Sequence, residues 1–479
     1  MNGSSEDLNA SSQADCSPSS GESSQRYNLF SRSEITPTST DKFERRLERL
    51  AREVARLIMH RTIRTIEAVD RDQTVSSFGF DGQSYRRNRR TTNTVDTRLG
   101  PISFERWYFQ NTQSDSAGIA PLDVRLGIVA QRMTPALAEV TGRLAADLPQ
   151  QAARDMLGER FGVTPSVEAY RRVVADLASQ VRCVHDEEAI GQLLDWIAEA
   201  RQSEGKHDVL LQVGRDGVFV QTRPCWEEAS CGTLAVYDRK RKRVGTIYLG
   251  QMPESEQPTM TKRLTEVIQG VLRGSGSEIL KLRYVTDAGC HPQAYYRDVL
   301  CKMRHPLTNR RLKWSWCVDF FHACEYVSQL AASLFGTGTD AAQRWAKQQR
   351  HTLRHEQDGI KKVIARAAQQ KRRGGLQGTK GDFATALNYL KKYKSHMDYA
   401  ERKQQGDPIG SGITEAGCKV IFNQRLKQSG MRWHRATGQF IVDLRTANRS
   451  GIWNRVWSRL ISLRTDLPPI TQASPPRNA

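Results

Sequence analysis

Long apolar runs are missing from this 479-residue chain: nowhere do about 18 apolar residues follow one another, which excludes a membrane-spanning helix. The N-terminus also lacks the charged-then-apolar order of a secretion signal, so a cytoplasmic protein with no membrane partner is expected. Cysteine is scattered: the nine residues form no C-x-x-C pair. Neither Cys225 with Cys231 nor Cys317 with Cys324 has a recognised zinc-ligand spacing. Reduced structural thiols are therefore expected. Acids are in deficit, with 52 Asp and Glu against 72 Lys and Arg and a net charge of +20. Such an excess points to a polyanionic partner, because neutralising phosphates releases their counterions. A basic protein with no nucleic-acid role is the alternative. The hydrophobic share of 38% is low, yet a chain this long can bury sizeable cores in roughly two to four domains.

Composition and periodicity divide the chain. Residues 1–38 are rich in Ser, Thr, Asn and Gly, and residues 463–479 carry paired prolines; both are expected to be disordered. Within 41–123, Phe43, Leu47, Leu50, Val54, Leu57 and Ile58 recur at spacings of three and four. They predict an amphipathic helix to about Val69, docked on its own domain or paired with a second copy as a short coiled coil. A basic loop follows (Arg86, Arg87, Arg89, Arg90), and then "TVDTRLGPISFERWYFQ" alternates as a hairpin about Leu99-Gly100-Pro101. Arg106, Trp107 and Tyr108 could touch nucleic acid, though Trp107 is at least as well suited to a core.

Residues 124–185 read as helical, and "PQQAARDMLGERFGVTPSVEAYRRVVADL" has a helix-turn-helix form. Ala153, Met156 and Leu157 belong to its first helix and Gly162 to the turn, with Thr164 capping the second helix and Pro165 at its first position. Val167, Tyr170 and Val174 are expected to face the core. Ser166, Glu168, Arg171 and Arg172 are then left for a DNA groove or phosphates, unless this is an ordinary helical hairpin.

From 205 to 337 the texture turns α/β. "DVLLQVGRDGVFVQTR" reads as two short strands about Asp216-Gly217, and "GTLAVYD" with "RVGTIYLG" as a hairpin about Arg239–Arg243. A helix over 259–273 precedes the strand "LRYVTDAG", which ends at Asp287; the helix "AYYRDVLCKM", the strand "KWSWCVD" and the helix "FHACEYVSQLAASLF" follow. This order predicts a mixed sheet covered on its faces. Residues 338–404 interrupt it with helices only. Residues 405–462 then bring back the chain through "GDPIGSGITEAGCKVIFNQRLKQSGMRW", which sets Glu415 in a first helical turn among Lys419, Arg425, Lys427 and Arg432.

Each acid has a plain explanation: Asp216 as a turn residue, Asp287 as a cap, Glu415 as a partner of the helix dipole. Their order suggests more, because functional groups in open α/β sheets gather at strand carboxyl ends. Three clustered carboxylates repel one another unless cations lie between them. Magnesium accepts such oxygen ligands, and two metals can activate a nucleophile and stabilise a leaving oxygen.

The motifs "GRDG", "YVTDAGCHPQAYYRDVL", "WCVDFFHACEYVSQLAASLFG" and "PIGSGITEAGCKVIFNQRLKQSGMRW" resemble those of ISKra-type transposases of bacterial insertion sequences. They also resemble the related Mutator-like branch of DDE transposases. The likeness is strong over 205–460 and looser over 41–180. It implies an RNase H-like core with an all-helical insertion before the catalytic Glu. The catalytic, metal-binding triad is then Asp216, Asp287 and Glu415, with Asp319 and His322 auxiliary to it; His322 also suits a plain helix-start histidine. Two Mg²⁺ ions, replaceable by Mn²⁺, are the implied cofactors. Lys419, Arg425, Lys427 and Arg432 would grip phosphates, while Trp433 stacks on a base or packs beneath the helix. The implied partners are double-stranded DNA, both terminal inverted repeats and target, and at least one further copy of the chain, in the bacterial cytoplasm at the nucleoid. The implied reaction cleaves phosphodiesters at the element's ends and joins the freed 3′-hydroxyls to target DNA. A domesticated, non-cutting regulator and a stand-alone metal-dependent nuclease are the rival readings.

Overall fold

A computed structural model of the chain describes residues 36–69, 75–80, 82–113, 118–276, 280–465 and 471–472. The expected N-terminal tail up to residue 35 lies outside these residues. Helix α1 (Pro37–Val69) forms a unit of its own. It starts within the segment expected to be disordered. Its stripe of Leu47, Leu50, Val54 and Leu57 is exposed, and ion pairs Asp41–Arg45, Glu48–Arg52 and Glu53–Arg56 run along the helix at spacings of three and four.

Everything from residue 70 onward is a second unit, so the helix and hairpin expected together within 41–123 fall in separate units. Strands β1 (Ser77–Phe80), β2 (Gln83–Thr97) and β3 (Gly100–Asn111) are antiparallel, and Thr97 pairs with Gly100 to leave Arg98 and Leu99 as the turn. The arginines expected in a loop lie within β2. A bulge separates Arg87 from Arg89, and Arg87 and Arg90 lie over the Trp107 ring on the opposite strand, at 4.7 and 5.9 Å. Two of the four arginines thus sit on an aromatic face, a favourable cation–ring contact.

Helices α2 (Pro121–Arg125), α3 (Pro135–Asp147), α4 (Gln150–Phe161) and α5 (Val167–Gln202) follow. The helix-turn-helix connection is present: Gly162 closes α4 in the left-handed region at φ 66°. The cap of α5 is Ser166, whose Oγ accepts the Ala169 N–H at 3.2 Å, two residues beyond the expected Thr164. Val167 and Met156 are exposed, contrary to a reading that placed Val167 in the core; Tyr170 and Val174 are buried as expected. No helix end falls near residue 185. Buried Val173, Leu177, Val181, Val184, Leu193, Ile197 and Ala200 carry one apolar stripe through 36 residues, so a single helix crosses the expected boundary.

The central sheet holds β4 (Leu210–Gln221), β5 (Trp226–Tyr237), β6 (Arg243–Gln251), β7 (Lys281–Thr286) and β8 (Trp314–Val318) in the order β6-β5-β4-β7-β8. The first three form an antiparallel meander, while β7 joins β4 and β8 joins β7 in parallel. This is the mixed α/β architecture expected. Connecting helices are α6 (Pro258–Gly274), α7 (Cys290–Asp298) and α8 (Phe320–Phe335). The all-helical insertion follows as α9 (Asp340–His355), α10 (Gly359–Gly374), α11 (Lys380–Tyr393) and α12 (Tyr399–Gln404). The chain returns through α13 (Gly412–Cys418), a π-helical turn at Lys419–Asn423 and α14 (Gln424–Leu426), then α15 (Arg435–Arg449) and α16 (Trp453–Thr465). Helices α5 and α6 pack on one face of the meander, and α13 and α15 on the other. Part of the segment expected as a C-terminal tail is ordered: β9 (Thr471–Gln472) pairs with Phe78 and Gly79 of β1. Residues 466–470 and 473–479 of that tail lie outside the described residues. No helix among the described residues is long and apolar enough to cross a membrane.

Candidate active site

Asp216 does not end a strand and does not sit in a turn. It lies within β4 because β5 pairs with that strand along its whole length, with Asp216 opposite Cys231. The parallel partner β7 accompanies only the first part, from Leu210 opposite Lys281 to Val213 opposite Tyr284. Extending that register by equal steps brings Asp216 alongside Asp287, which follows β7 directly. Adjacent strands are about 4.8 Å apart, so the two carboxylates come from neighbouring backbones. The next register, Thr286 opposite Val318, places Asp319 beside Asp287 in the same way. Hairpin chemistry in "DG" loses here to the sheet: Gly217 stays extended, and the Glu228 side chain crosses where a Cβ would stand.

Glu415 arrives from the opposite direction. Helix α13 lies across β4 and β5 at Asp216, close enough that a side chain at Gly214 would collide with Thr414. Thr414 Oγ1 bonds Thr233 Oγ1 at 2.8 Å, and Cys418 donates its thiol proton to Asp216 Oδ2 at 3.5 Å. The Ser411 hydroxyl stands 2.8 Å from Glu415 Oε1 and 3.0 Å from Asp319 Oδ2. With one proton it serves one carboxylate at a time. Asp319, 1% exposed, also accepts the Ser411 N–H, and through Oδ1 it accepts the His322 N–H at 2.6 Å and caps α8. Asp319 thus fastens the returning Gly-Ser loop to a helix start, which makes it a positioning residue. Asp319→Ala removes both attachments and is expected to lower unfolding stability by about 1–3 kcal/mol, read by urea denaturation.

The insertion reaches the same place. Tyr389 on α11 donates to the Asp287 carbonyl at 2.9 Å, and Tyr393 to the Ala288 carbonyl at 3.3 Å. Ala288 is held at φ 66°, a strained conformation for an alanine, where the chain leaves β7. His322 meets the rings of Tyr326 and Tyr389 edge-on and pairs through Nδ1 with Glu325 at 3.0 Å. Its place is in this supporting aromatic cluster.

Burial and the negative charge of Asp287, with a smaller contribution from Glu415, push the Asp216 carboxyl up to about 6. The Gly217 N–H and the Cys418 thiol pull it back only in part. The charges of Asp287 and Glu415 are thus both felt at the half-buried Asp216 carboxyl. Among the described residues, no three His, Cys, Asp or Glu side chains are gathered closely enough to form a metal-ligand set as they stand. The donor chemistry nevertheless suits a hard divalent cation: the three candidate ligands are carboxylates, and among the described residues none of them is in ion-pair contact with a basic side chain.

The basic residues separate into two groups. Arg171, Arg172, Arg425 and Arg432 line one cleft between the start of α5 and the segment after α14. Lys419 and Lys427 are exposed elsewhere, Lys427 over the Trp226 ring at 5.7 Å. Arg425, expected to grip phosphate alongside the others, differs from them in being buried at 2% exposure, and it gives its Nε–H to the Ala145 carbonyl at 3.3 Å. Trp433 packs, donating its indole N–H to the Leu426 carbonyl at 2.9 Å. Sequence reasoning missed Glu228, which lies against Gly217 with Gln257 and His291 on its carboxylate at 3.3 and 3.7 Å. It missed Ser411 and Tyr389 as well, since only the returned loop and the folded insertion bring them to the acids. The eight cysteines among the described residues are all free; Cys231, Cys317, Cys324 and Cys418 are buried, while Cys183, Cys225 and Cys290 are exposed. Neither a protein-family model nor a curated protein matches this chain.

Proposed function

We propose that the chain is a DDE-type DNA transposase, similar in its motifs to the ISKra-type enzymes, that cleaves phosphodiesters at an element's ends and joins the 3′-hydroxyls to target DNA. The observation that carries the reading is the parallel β4–β7 register, whose continuation runs towards Asp216 and Asp287, together with α13 packed on β4 and β5 through Thr414 and Cys418 on either side of Glu415. A sheet of three antiparallel and two parallel strands, with a helical insertion before the third acid, supports an RNase H-like core. Asp216, Asp287 and Glu415 are the residues that would hold divalent cations. When bound, a pair of Mg²⁺ ions, or Mn²⁺ in their place, activates the attacking oxygen and stabilises the leaving one. The chain's own contribution is to hold the acids: Ser411 shares its proton between Glu415 and Asp319, and Tyr389 fixes the backbone of Asp287. Exposed Lys419, Lys427, Arg171, Arg172 and Arg432 supply the charge for double-stranded DNA. Joining two ends requires at least two copies.

A test independent of turnover uses thermal and urea unfolding of wild type and Asp216→Asn in EDTA. A carboxyl raised in the folded state stabilises the fold while it is protonated. That contribution is complete below about pH 4 and is lost as pH rises through about 6. Asp216→Asn stays neutral, so it is expected to exceed wild type at pH 8 by on the order of 3 kcal/mol and to match it near pH 4. Adding Mg²⁺ or Mn²⁺ at pH 8 is expected to raise the melting temperature of wild type and not of the variant. A metal response equal in both proteins would refute the assigned ligands.

A further inference from the structure

The cleft between the start of α5 and residues 430–441 has a volume of about 710 Å³, within the roughly 300–1,000 Å³ typical of ligand sites. Its rim is basic, with Arg171, Arg172, Arg223 and Arg432 all exposed and Glu168 the acid among them. One wall is apolar, formed by Met431, Trp433 and Phe440.

Two buried groups line it, one a hydroxyl without a hydrogen-bond partner and the other a cation without a counter-charge in contact, among the described residues. Tyr170 is 3% exposed, and its hydroxyl makes no hydrogen bond among the described residues. Arg425 has the Ala145 carbonyl, the Met431 sulfur at 3.9 Å and the Trp433 ring at 5.3 Å, but no carboxylate in ion-pair contact among the described residues. Both line the same cleft; burial pushes the Tyr170 hydroxyl up to about 12, and the nearby Arg425 charge opposes it. A buried, unmet polar group costs about 1–3 kcal/mol, and more if charged, so folded chains seldom retain one without use for it. A cation and a hydroxyl donor buried together under a ring of arginines are complementary to a phosphate. The apolar wall beside them is complementary to a base.

We propose that this cleft seats one nucleotide of the bound DNA, its phosphate drawn towards Arg172, Arg432 and the Arg425–Tyr170 pair, its base along Trp433 and Phe440. The inference rests on the DNA-binding half of the function proposed above and does not involve the acids.

The test uses the full chain carrying Asp287→Asn, in EDTA, so that nothing is cut. A short fluorescein-labelled DNA duplex, its single strand and the same strand with abasic sites are titrated over a salt series. Tyr170→Phe, Arg172→Ala and Arg432→Ala are compared with Arg297→Ala, an exposed arginine outside the cleft. All should melt within a few degrees of the parent, which separates binding from folding. Arg172→Ala and Arg432→Ala are each expected to weaken binding about fivefold and to reduce the salt slope by about 1. Tyr170→Phe is expected to weaken it about threefold, a lost hydrogen bond, and Arg297→Ala not at all. The abasic strand should bind the parent at least about fivefold more weakly than the intact one. Wild-type affinity and slope in all three cleft variants would overturn the proposal, and so would a loss shared equally by Arg297→Ala or no DNA binding by any form. Strand cleavage by the wild-type chain in Mg²⁺ is scored separately. Normal binding by the cleft variants alongside intact cleavage removes the cleft and leaves the acids in place. Weakened binding in a chain that never cuts keeps the cleft and removes the proposed chemistry.

Discussion

Asp287→Asn is expected to reduce strand cleavage of a DNA end by roughly a thousandfold or more, while DNA affinity changes by less than about threefold. The substitution is chosen because it changes charge and little else. The Asp287 backbone is fixed by Tyr389, and its Oδ1 accepts the Gly289 N–H at 2.9 Å, a bond that the asparagine oxygen can keep. The basic residues lie on other elements and are untouched. The measurement pairs gel-resolved cleavage of an end-labelled duplex in Mg²⁺ or Mn²⁺, against EDTA, with binding followed by anisotropy. Cleavage equal to that of wild type would remove the transposase and the nuclease together. Tight binding by both proteins with no cleavage by either would establish the non-cutting regulator instead.

The largest loss of stability is expected from Asp407→Ala. The Asp407 carboxylate is fully buried and pairs with Arg283 at 2.6 Å, Lys281 at 2.9 Å and Arg241 at 3.4 Å. It ties the end of the helical insertion to the start of β7 and to the β5–β6 turn. Deleting it leaves cations with little exposure crowded together and uncompensated, for which the cost is about 3–5 kcal/mol. Chemical denaturation should show the midpoint falling with little change in slope. Asp407→Asn should fall between, since an amide still accepts hydrogen bonds but cancels no charge. Because Asp407 opens the loop that ends at Glu415, a variant that still folds should also lose cleavage. A wild-type midpoint for Asp407→Ala would show that the cluster contributes nothing net.

The elements with one clear period were legible from residues alone. The stripe of α1, the helical insertion, the β5–β6 hairpin and the strand leading to Asp287 all follow local patterning. Asp216 was expected at a strand end or in a turn and lies instead within β4. "DG" between apolar runs is a turn signal, and only the full-length pairing with β5 keeps that stretch extended. The long α5 was cut short at 185, although its apolar stripe runs on through Leu193, Ile197 and Ala200. Arg425 was grouped with its exposed neighbours, since sequence spacing says little about which arginine turns inward. Ser411, Tyr389 and Glu228 gain their meaning from contacts between distant segments, for which a single sequence carries no signal.

The unbroken α5 also sets a length. Its 36 residues make a rod of about 54 Å, with Arg171 and Arg172 near one end and its far half packed on the helices and strands of the sheet. A flexible joint would let a recognition element drift relative to the acids; this rod acts as a ruler. In the proposed function, the spacing on DNA between the stretch gripped at the start of α5 and the bond presented to Asp216 and Asp287 is then a property of the protein. Base pairs added between those two points would move the cut by the same number of pairs along the DNA, keeping its distance from the gripped stretch constant.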